Sequence, residues 1–441
     1  METITTVGAR KAAIDILMRL SPSRGGDPGY SNILIDSEIK SGRLPESERA
    51  LFTRLVNGVT ERRITLDYII AALSDRKLSE IDGMSLNLCR MGLYQLIYCG
   101  GIPEHAAVSE TVKLSGTQGK GFVNAILRAY QRKKDEIVFP DREKNFVKYL
   151  SVTYSVSSGL CRTFIGIFGP EKTERILASP GNREGITLRT NTLVNTREEL
   201  IARLGDAGIP VTPTADSPYG IIAPAQALDA AVRSGRAFVQ DESSQICSYV
   251  LDARPGERVI DLCACPGSKS FSAAMLMNNE GSILSCDLHG SKLPLITSGA
   301  KKLGITIIRT MCGDSSEERP EFAEKFDRVI CDVPCSGFGV LAKKPEIRYK
   351  PVGASAELPD LQLKILEAGA RMLKRGGVCV YSTCTLLPAE NEGNVKRFLE
   401  RHPDFRTVPF ECGTRSAPDG MLTLTPDGGT DGFFIAKLEK I

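Results

Sequence analysis

The sequence predicts a multidomain chain in three parts: an all-α N-terminal domain over residues 1–137, a small α+β middle module with its linker over 138–238, and an α/β domain with a mostly parallel sheet over 239–441. Three observations carry this reading. The first third repeats apolar residues at helical spacing, the middle mixes short helical and strand-like runs, and the chain after Phe238 alternates strand with helix.

In the first part Ala12, Ile16, Leu17 and Leu20 recur at i, i+4, i+5 and i+8, and similar stripes run through 51–59, 66–73 and 86–98. That is the period of amphipathic helices. Pro22, Gly25, Gly26, Pro28, Pro45 and Pro103 punctuate the runs, as turn residues do. The stretch Gly119-Lys120-Gly121-Phe122-Val123-Asn124-Ala125-Ile126-Leu127-Arg128 reads as the last helix, and Arg128, Arg132, Lys133 and Lys134 form a basic exit. The middle part shows helical runs at 145–168 and 197–207 and strand-like pieces at 186–189 and 221–222. In the third part strands are expected at 258–263, 282–286, 306–312, 328–331 and 377–382, with helices at 271–277 and 360–373. Such alternation builds a parallel sheet whose ligand crevice lies at the carboxyl ends of its strands.

A length of 441 residues exceeds one ordinary core, and 42% hydrophobic residues suffice to fill several. Charges balance to +3, which excludes a histone-like polycation and leaves any nucleic-acid affinity to local patches. Thirteen cysteines follow an opening, METITTVGAR, that lacks a basic n-region and an apolar h-region, and the sequence has no apolar stretch of membrane-spanning length. A cytoplasmic protein with reduced thiols and no membrane partner is therefore expected.

The segment Val259-Ile260-Asp261-Leu262-Cys263-Ala264-Cys265-Pro266-Gly267-Ser268-Lys269 leaves a strand, turns at Pro266-Gly267 and enters a helix. Small residues there let a ligand approach the backbone, and the helix N-terminus offers N–H groups to a carboxylate. A plain strand–helix turn would look the same. It is not the G-x-G-x-x-G pattern, which argues against nicotinamide chemistry. Asp287, Asp314 and Asp332 follow at the ends of the next strands; each alone reads as a cap or loop carboxylate, but three in succession mark a binding crevice.

Two further segments place a thiol at a strand end: Cys331-Asp332-Val333-Pro334-Cys335-Ser336-Gly337 and Tyr381-Ser382-Thr383-Cys384-Thr385. The pattern suits methylation of a pyrimidine carbon. Cytosine C5 is a poor nucleophile, and a thiolate added at C6 pushes electron density onto it. A carboxyl such as Asp332 would serve the ring nitrogen N3, and a second thiol would assist loss of the C5 proton. Spacing alone leaves open which thiol attacks. A zinc site from Cys263, Cys265, Cys331 and Cys335 would lack paired C-x-x-C spacing in a chain with three histidines, so no metal is expected.

The chain resembles the NusB/Sun-type RNA cytosine-C5 methyltransferases. The matching stretches are Gln240-Asp241-Glu242-Ser243-Ser244, the turn from Asp261 to Lys269, Asp332-Val333-Pro334-Cys335-Ser336-Gly337, Ser382-Thr383-Cys384, Glu390-Asn391-Glu392 and Asp431-Gly432-Phe433-Phe434-Ile435-Ala436. Met91-Gly92-Leu93-Tyr94-Gln95-Leu96 and Phe122-Val123-Asn124-Ala125-Ile126-Leu127-Arg128 look NusB-like. The resemblance implies a NusB-like RNA-binding domain and a Rossmann-like methyltransferase domain that uses S-adenosyl-L-methionine. It makes Cys384 the nucleophile and Cys335 the residue that aids release. It places cofactor contacts at Cys263, Ala264, Cys265, Pro266, Gly267, Ser268, Lys269, Asp287, Asp314 and Asp332, and leaves Lys269 without an assigned catalytic role.

Small-subunit ribosomal RNA is the expected partner and a monomer the expected state. The same chemistry on transfer RNA stays open. A non-catalytic RNA-binding or antitermination scaffold is the rival from another class, and retention of both cysteines and the acids argues against it. A protein methyltransferase would carry an Asn/Asp-Pro-Pro-Tyr motif where this chain has Asp332-Val333-Pro334-Cys335. Two departures from the family pattern stand out. Ser268 replaces a glycine, which requires a negative φ there. Lysines replace the usual arginines at Lys343 and Lys344, which keeps charge but loses bidentate geometry. RNA contacts are expected from Lys343, Lys344, Arg348 and Lys350 and from Arg128, Arg132, Lys133 and Lys134, around an unstacked cytosine.

Overall fold

A computed structural model describes residues 6–20, 29–117, 119–179 and 185–441. Pro22, Gly25, Gly26 and Pro28 lie outside the described residues. The chain forms two units, Met1–Ala178 with Leu341–Ala354, and Ser179–Val340 with Ser355–Ile441.

The first unit is helical: α1 (Ala9–Leu20), α2 (Ser31–Lys40), α3 (Glu46–Glu61), α4 (Arg63–Leu73), α5 (Gly83–Tyr98), α6 (Glu104–Lys113), α7 (Lys120–Lys133), α8 (Phe146–Tyr154), α9 (Ser158–Phe168) and α10 (Pro170–Ala178). The apolar stripes read from sequence supply its core, with Phe52, Leu55, Leu66, Leu88, Met91 and Leu127 buried together. Residues 145–168 are two helices rather than one. Ser155 takes a left-handed φ of 54°, and its hydroxyl accepts from Ile64 N at 2.9 Å, while Ser157 caps α9 through Leu160 N at 3.3 Å. Arg128, Arg132, Lys133 and Lys134 are exposed.

Residues Leu341–Ala354 belong to this helical unit. Tyr349 anchors them by donating to Thr60 O at 2.7 Å and accepting from Arg63 N at 3.0 Å. Arg348, expected on an RNA-binding surface, is instead buried. It donates to the carbonyls of Tyr154 at 2.9 Å and Leu341 at 3.3 Å, and these bonds offset the cost of taking the guanidinium out of water.

The second unit starts with an antiparallel sheet of β1 (Ile186–Thr190), β2 (Thr212–Pro213), β3 (Gly220–Ala223) and β4 (Ala237–Val239), in the order β2-β3-β1-β4, with α11 (Arg197–Asp206) against it. Thr196 and Glu199 form a capping box that starts α11. Then follow α12 (Glu242–Leu251), β5 (Arg258–Asp261), α13 (Ser268–Leu276), β6 (Ser282–Asp287), α14 (Leu293–Lys302), β7 (Ile308–Cys312), β8 (Phe326–Asp332), α15 (Leu358–Met372), β9 (Leu373–Thr383), α16 (Glu392–Arg401), β10 (Phe405–Thr407), β11 (Phe410–Cys412), β12 (Arg415–Ala417), β13 (Met421–Leu424) and β14 (Phe433–Lys440). The main sheet runs β10-β14-β9-β8-β5-β6-β7, with β13 on β14. Strands β5 to β9 pair in parallel, and β10, β13 and β14 add antiparallel strands. The parallel pairing brings the carboxyl ends of β5, β6, β7, β8 and β9 to one edge. Asp332 stands beside Ser382 in the register, and Asp287 beside Cys312.

Candidate active site

The turn after β5 is tied down by its neighbours: Leu262 N donates to Ile330 O at 3.0 Å and Ala264 N to Cys286 O at 2.8 Å. The Cys265–Pro266 peptide is cis. Gly267 has φ +109°, and a Cβ there would lie 2.5 Å from Phe271 Cζ, so only glycine fits. Ser268 opens α13 and is not among the residues of positive φ, which meets the condition that the substitution imposes.

Four carboxylates line the carboxyl edge. Asp261 ends β5 and is 1% exposed; Ser270 donates to its Oδ2 at 2.7 Å, and its Oδ1 has no hydrogen-bond partner. Burial pushes its carboxyl up to about 7. Asp287, at the end of β6, accepts from His289 N at 2.9 Å. Asp314, just past β7, accepts from Ser316 Oγ at 2.7 Å and Ser316 N at 2.8 Å, which hold its carboxyl below the usual range. Asp332 ends β8.

Both oxygens of Asp332 are engaged. Lys269, from the first turn of α13, donates to Oδ2 at 2.6 Å, and Ser382 donates to Oδ1 at 2.8 Å. Lys269 also donates to Ser244 Oγ at 3.5 Å, and its ammonium lies 5.3 Å from the Phe433 ring centroid. Burial works against the charge on Lys269, but the attraction of Asp332 outweighs it and moves the ammonium above its ordinary range. Lys269 is therefore an ammonium.

The two thiols meet at the ends of β8 and β9. Cys335 Sγ is 2.8 Å from Cys384 Sγ, and Cys384 N donates to Cys335 Sγ at 3.2 Å. Both are half-buried. The hydrogen bond with Cys384, followed by burial, pushes the Cys335 thiol well up. Val333 N donates to Ser382 O at 3.1 Å and Gly339 N to Cys384 O at 2.9 Å, which fastens the two loops together. A Cβ on Gly339 would lie 2.0 Å from Gly432 O.

Residues 248–439 match the family 16S rRNA methyltransferase RsmB/F, residues 8–132 the NusB family, and residues 160–227 the ferredoxin-like domain of RsmF/B-like methyltransferases. A probable ribosomal RNA small subunit methyltransferase B of Bacillus subtilis (strain 168) is 35% identical over 446 residues, covering 98% of each chain. The chain belongs to the RsmB/F family. Another such relative, a probable ribosomal RNA small subunit methyltransferase B of Synechocystis sp. (strain ATCC 27184 / PCC 6803 / Kazusa), is 35% identical over 452 residues, 98% of this chain and 100% of its own. The crystal structure of PH0851 covers 99% of both chains with a TM-score of 0.77 and 26% identity. As an RsmB/F-family RNA methyltransferase, the chain has S-adenosylmethionine as its cofactor.

In this RsmB/F-family chain Cys384 meets Cys335 and Asp332 meets Lys269, both pairs formed at the ends of β8 and β9, and Cys263, Ala264, Cys265, Pro266, Gly267 and Ser268 make the turn after β5, with Asp287 and Asp314 at the next strand ends. Lys343, Lys344, Arg348 and Lys350 belong to the helical unit and not to the unit that holds the thiols. Reading the sequence passed over Ser382 and Ser244 as partners of the Asp332–Lys269 pair, and Asp261 as a buried acid. Their only signal was membership of the Ser-Thr-Cys, Glu-Ser-Ser and Asp-Leu-Cys stretches.

Proposed function

We propose that this RNA methyltransferase methylates C5 of a cytosine in small-subunit ribosomal RNA through a covalent bond between Cys384 and the base C6. The observation that carries this is the contact of two thiols, 2.8 Å apart, beside a carboxylate salted to a buried lysine at 2.6 Å.

S-adenosylmethionine supplies the electrophilic methyl group. The turn fits such a ligand: Gly267 keeps the backbone bare, the first turn of α13 presents N–H groups, and Asp261 Oδ1 is a buried acceptor without a partner. Cys263, Ala264, Cys265, Pro266, Gly267, Ser268 and Lys269 would cradle it, with Asp287 toward ribose hydroxyls, Asp314 toward the adenine amine, and Asp332 alongside.

The Cys384 thiolate adds to C6, and the charge that the addition pushes toward N3 is met there by a hydrogen bond from the Asp332–Lys269 pair, with no proton moved. After methyl transfer the C5 proton must leave so that Cys384 is expelled. The main cause of the raised Cys335 pKa is its hydrogen bond to Cys384, and that bond weakens once the Cys384 sulfur is bonded to carbon. Cys335 then loses its proton to solvent more readily, and its thiolate takes the C5 proton as the Cys384–C6 bond breaks.

We divide the labour as RNA binding by 1–137, support by 138–238 and methyl transfer by 239–441. We propose that the chain acts as a monomer. None of the thirteen cysteines is in a disulfide and the reactive pair needs reduced thiols, which supports a cytoplasmic setting; no described helix is long and apolar enough to cross a membrane.

The test is denaturing gel electrophoresis with unmodified ribosomal RNA. Cys384→Ala is expected to abolish methylation and adduct, and Cys335→Ala to accumulate a denaturation-resistant protein–RNA adduct. An active Cys384→Ala enzyme overturns the proposal.

A further inference from the structure

Two adjacent residues, Glu390 and Asn391, each grip one of the two cysteine loops from both sides. Glu390 is 1% exposed. Its Oε2 accepts from the backbone N–H of Ser336, just after Cys335, at 2.9 Å, and from Gln362 Nε2 at 2.7 Å. The same Gln362 amide donates to the carbonyl of Pro334, just before Cys335, at 2.9 Å. Asn391, equally buried, accepts from Thr383 Oγ1 at 2.6 Å and donates to Thr385 O at 3.0 Å, and those residues flank Cys384. The loops are also joined directly, Ser336 Oγ to Thr385 Oγ1 at 2.7 Å.

We propose that Glu390 and Asn391 are positioning residues of the thiol pair, Glu390 with Gln362 fixing the Cys335 loop and Asn391 the Cys384 loop, so that their being neighbours in sequence sets the distance between the two sulfurs. This rests on the covalent reading above for its catalytic meaning, but not for its geometry. The energetics point the same way. A buried carboxylate that accepts only from neutral amides is costly to keep, and Glu390 Oε1 has no hydrogen-bond partner at all. The carboxylate's charge also faces Cys335 and helps to keep that thiol protonated. Tyr381 completes the support, its hydroxyl donating to Glu390 O at 2.5 Å.

The spacing of the sulfurs can be read without RNA or cofactor. Diamide, an azo oxidant, joins two facing thiols as a disulfide while its N=N bond takes up the two hydrogens, and peptide mass spectrometry identifies the linked residues. In the full chain Cys335 and Cys384 are expected to link. Glu390→Ala and Asn391→Ala are expected to slow that linkage by about tenfold, the scale on which small misplacements act, and Glu390→Gln, which retains an acceptor for Ser336 N, to restore most of it. In methylation assays the alanine variants should lose kcat with KM for RNA unchanged.

Thr383→Val and Gln362→Leu cut the same contacts from their other ends and carry the same expectation if the alanine variants do not fold. Linkage at the parental rate in folded variants overturns the proposal. An active Cys384→Ala enzyme would refute the covalent chemistry instead and leave the linkage result to stand on its own.

Discussion

Asp261 shows how one buried carboxyl ties folding to pH. Its folded-state pKa of about 7 lies above the ordinary 3.8, so the folded chain keeps the proton over a range in which the unfolded chain has lost it. Its contribution to stability is therefore full below about 3.8 and disappears as pH rises through about 7. Asp261→Asn cannot titrate. The difference in Tm between variant and parent should thus move in the variant's favour from pH 4 to pH 7 in cofactor-free protein; a constant offset would contradict it. At this scale the places of the thiols and the strand-end acids were legible because each sits in a short stretch at a strand end, and the place of Lys269 because it follows the turn after β5. Ser382, Ser244 and Gln362 were not, because a serine or glutamine acquires its meaning only from the group it faces across the fold.

Elements carry a second set of consequences. Gly267 combines φ +109° with a Cβ position 2.5 Å from Phe271 Cζ, so Gly267→Ala is expected to cost about 2 kcal/mol and to weaken cofactor binding in calorimetric titration. An unchanged Tm with parental affinity would show that the turn tolerates a side chain. Strand positions were read well from apolar runs, but ends were not. β9 starts at Leu373 and not near 377, because Gly376, at φ +75°, lets a Lys-Arg-Gly-Gly stretch that resembles a turn continue the strand with a register shift against β8. The break of 145–168 into α8 and α9 was invisible for a related reason: the apolar period runs on through Ser155, and tertiary hydrogen bonds decide its backbone.

For the whole molecule, the arrangement of helical, α+β and parallel-sheet parts was already present in the change of hydrophobic period along the chain. The antiparallel additions β10, β13 and β14 were not, since short strands after α16 give no alternation with helices. Nor could periodicity show that Leu341–Ala354 packs with the helical unit, which depends on Tyr349 and Arg348 finding carbonyls there. Arg348→Ala should accordingly act on folding. It is expected to lower stability by about 3 kcal/mol, the scale for loss of a buried charged partner, while the salt dependence of RNA binding by the folded protein keeps its slope. A shallower slope at unchanged stability would return Arg348 to the RNA surface.

The bond between Cys384 and the base is tested most directly with ribosomal RNA carrying 5-fluorocytidine. Fluorine at C5 cannot leave as a proton does, so the adduct persists after methyl transfer and can be digested to a peptide–nucleotide conjugate for mass spectrometry. The nucleotide is expected on Cys384. Its appearance on Cys335, or methylation of ordinary RNA with no conjugate on either cysteine, would contradict the mechanism.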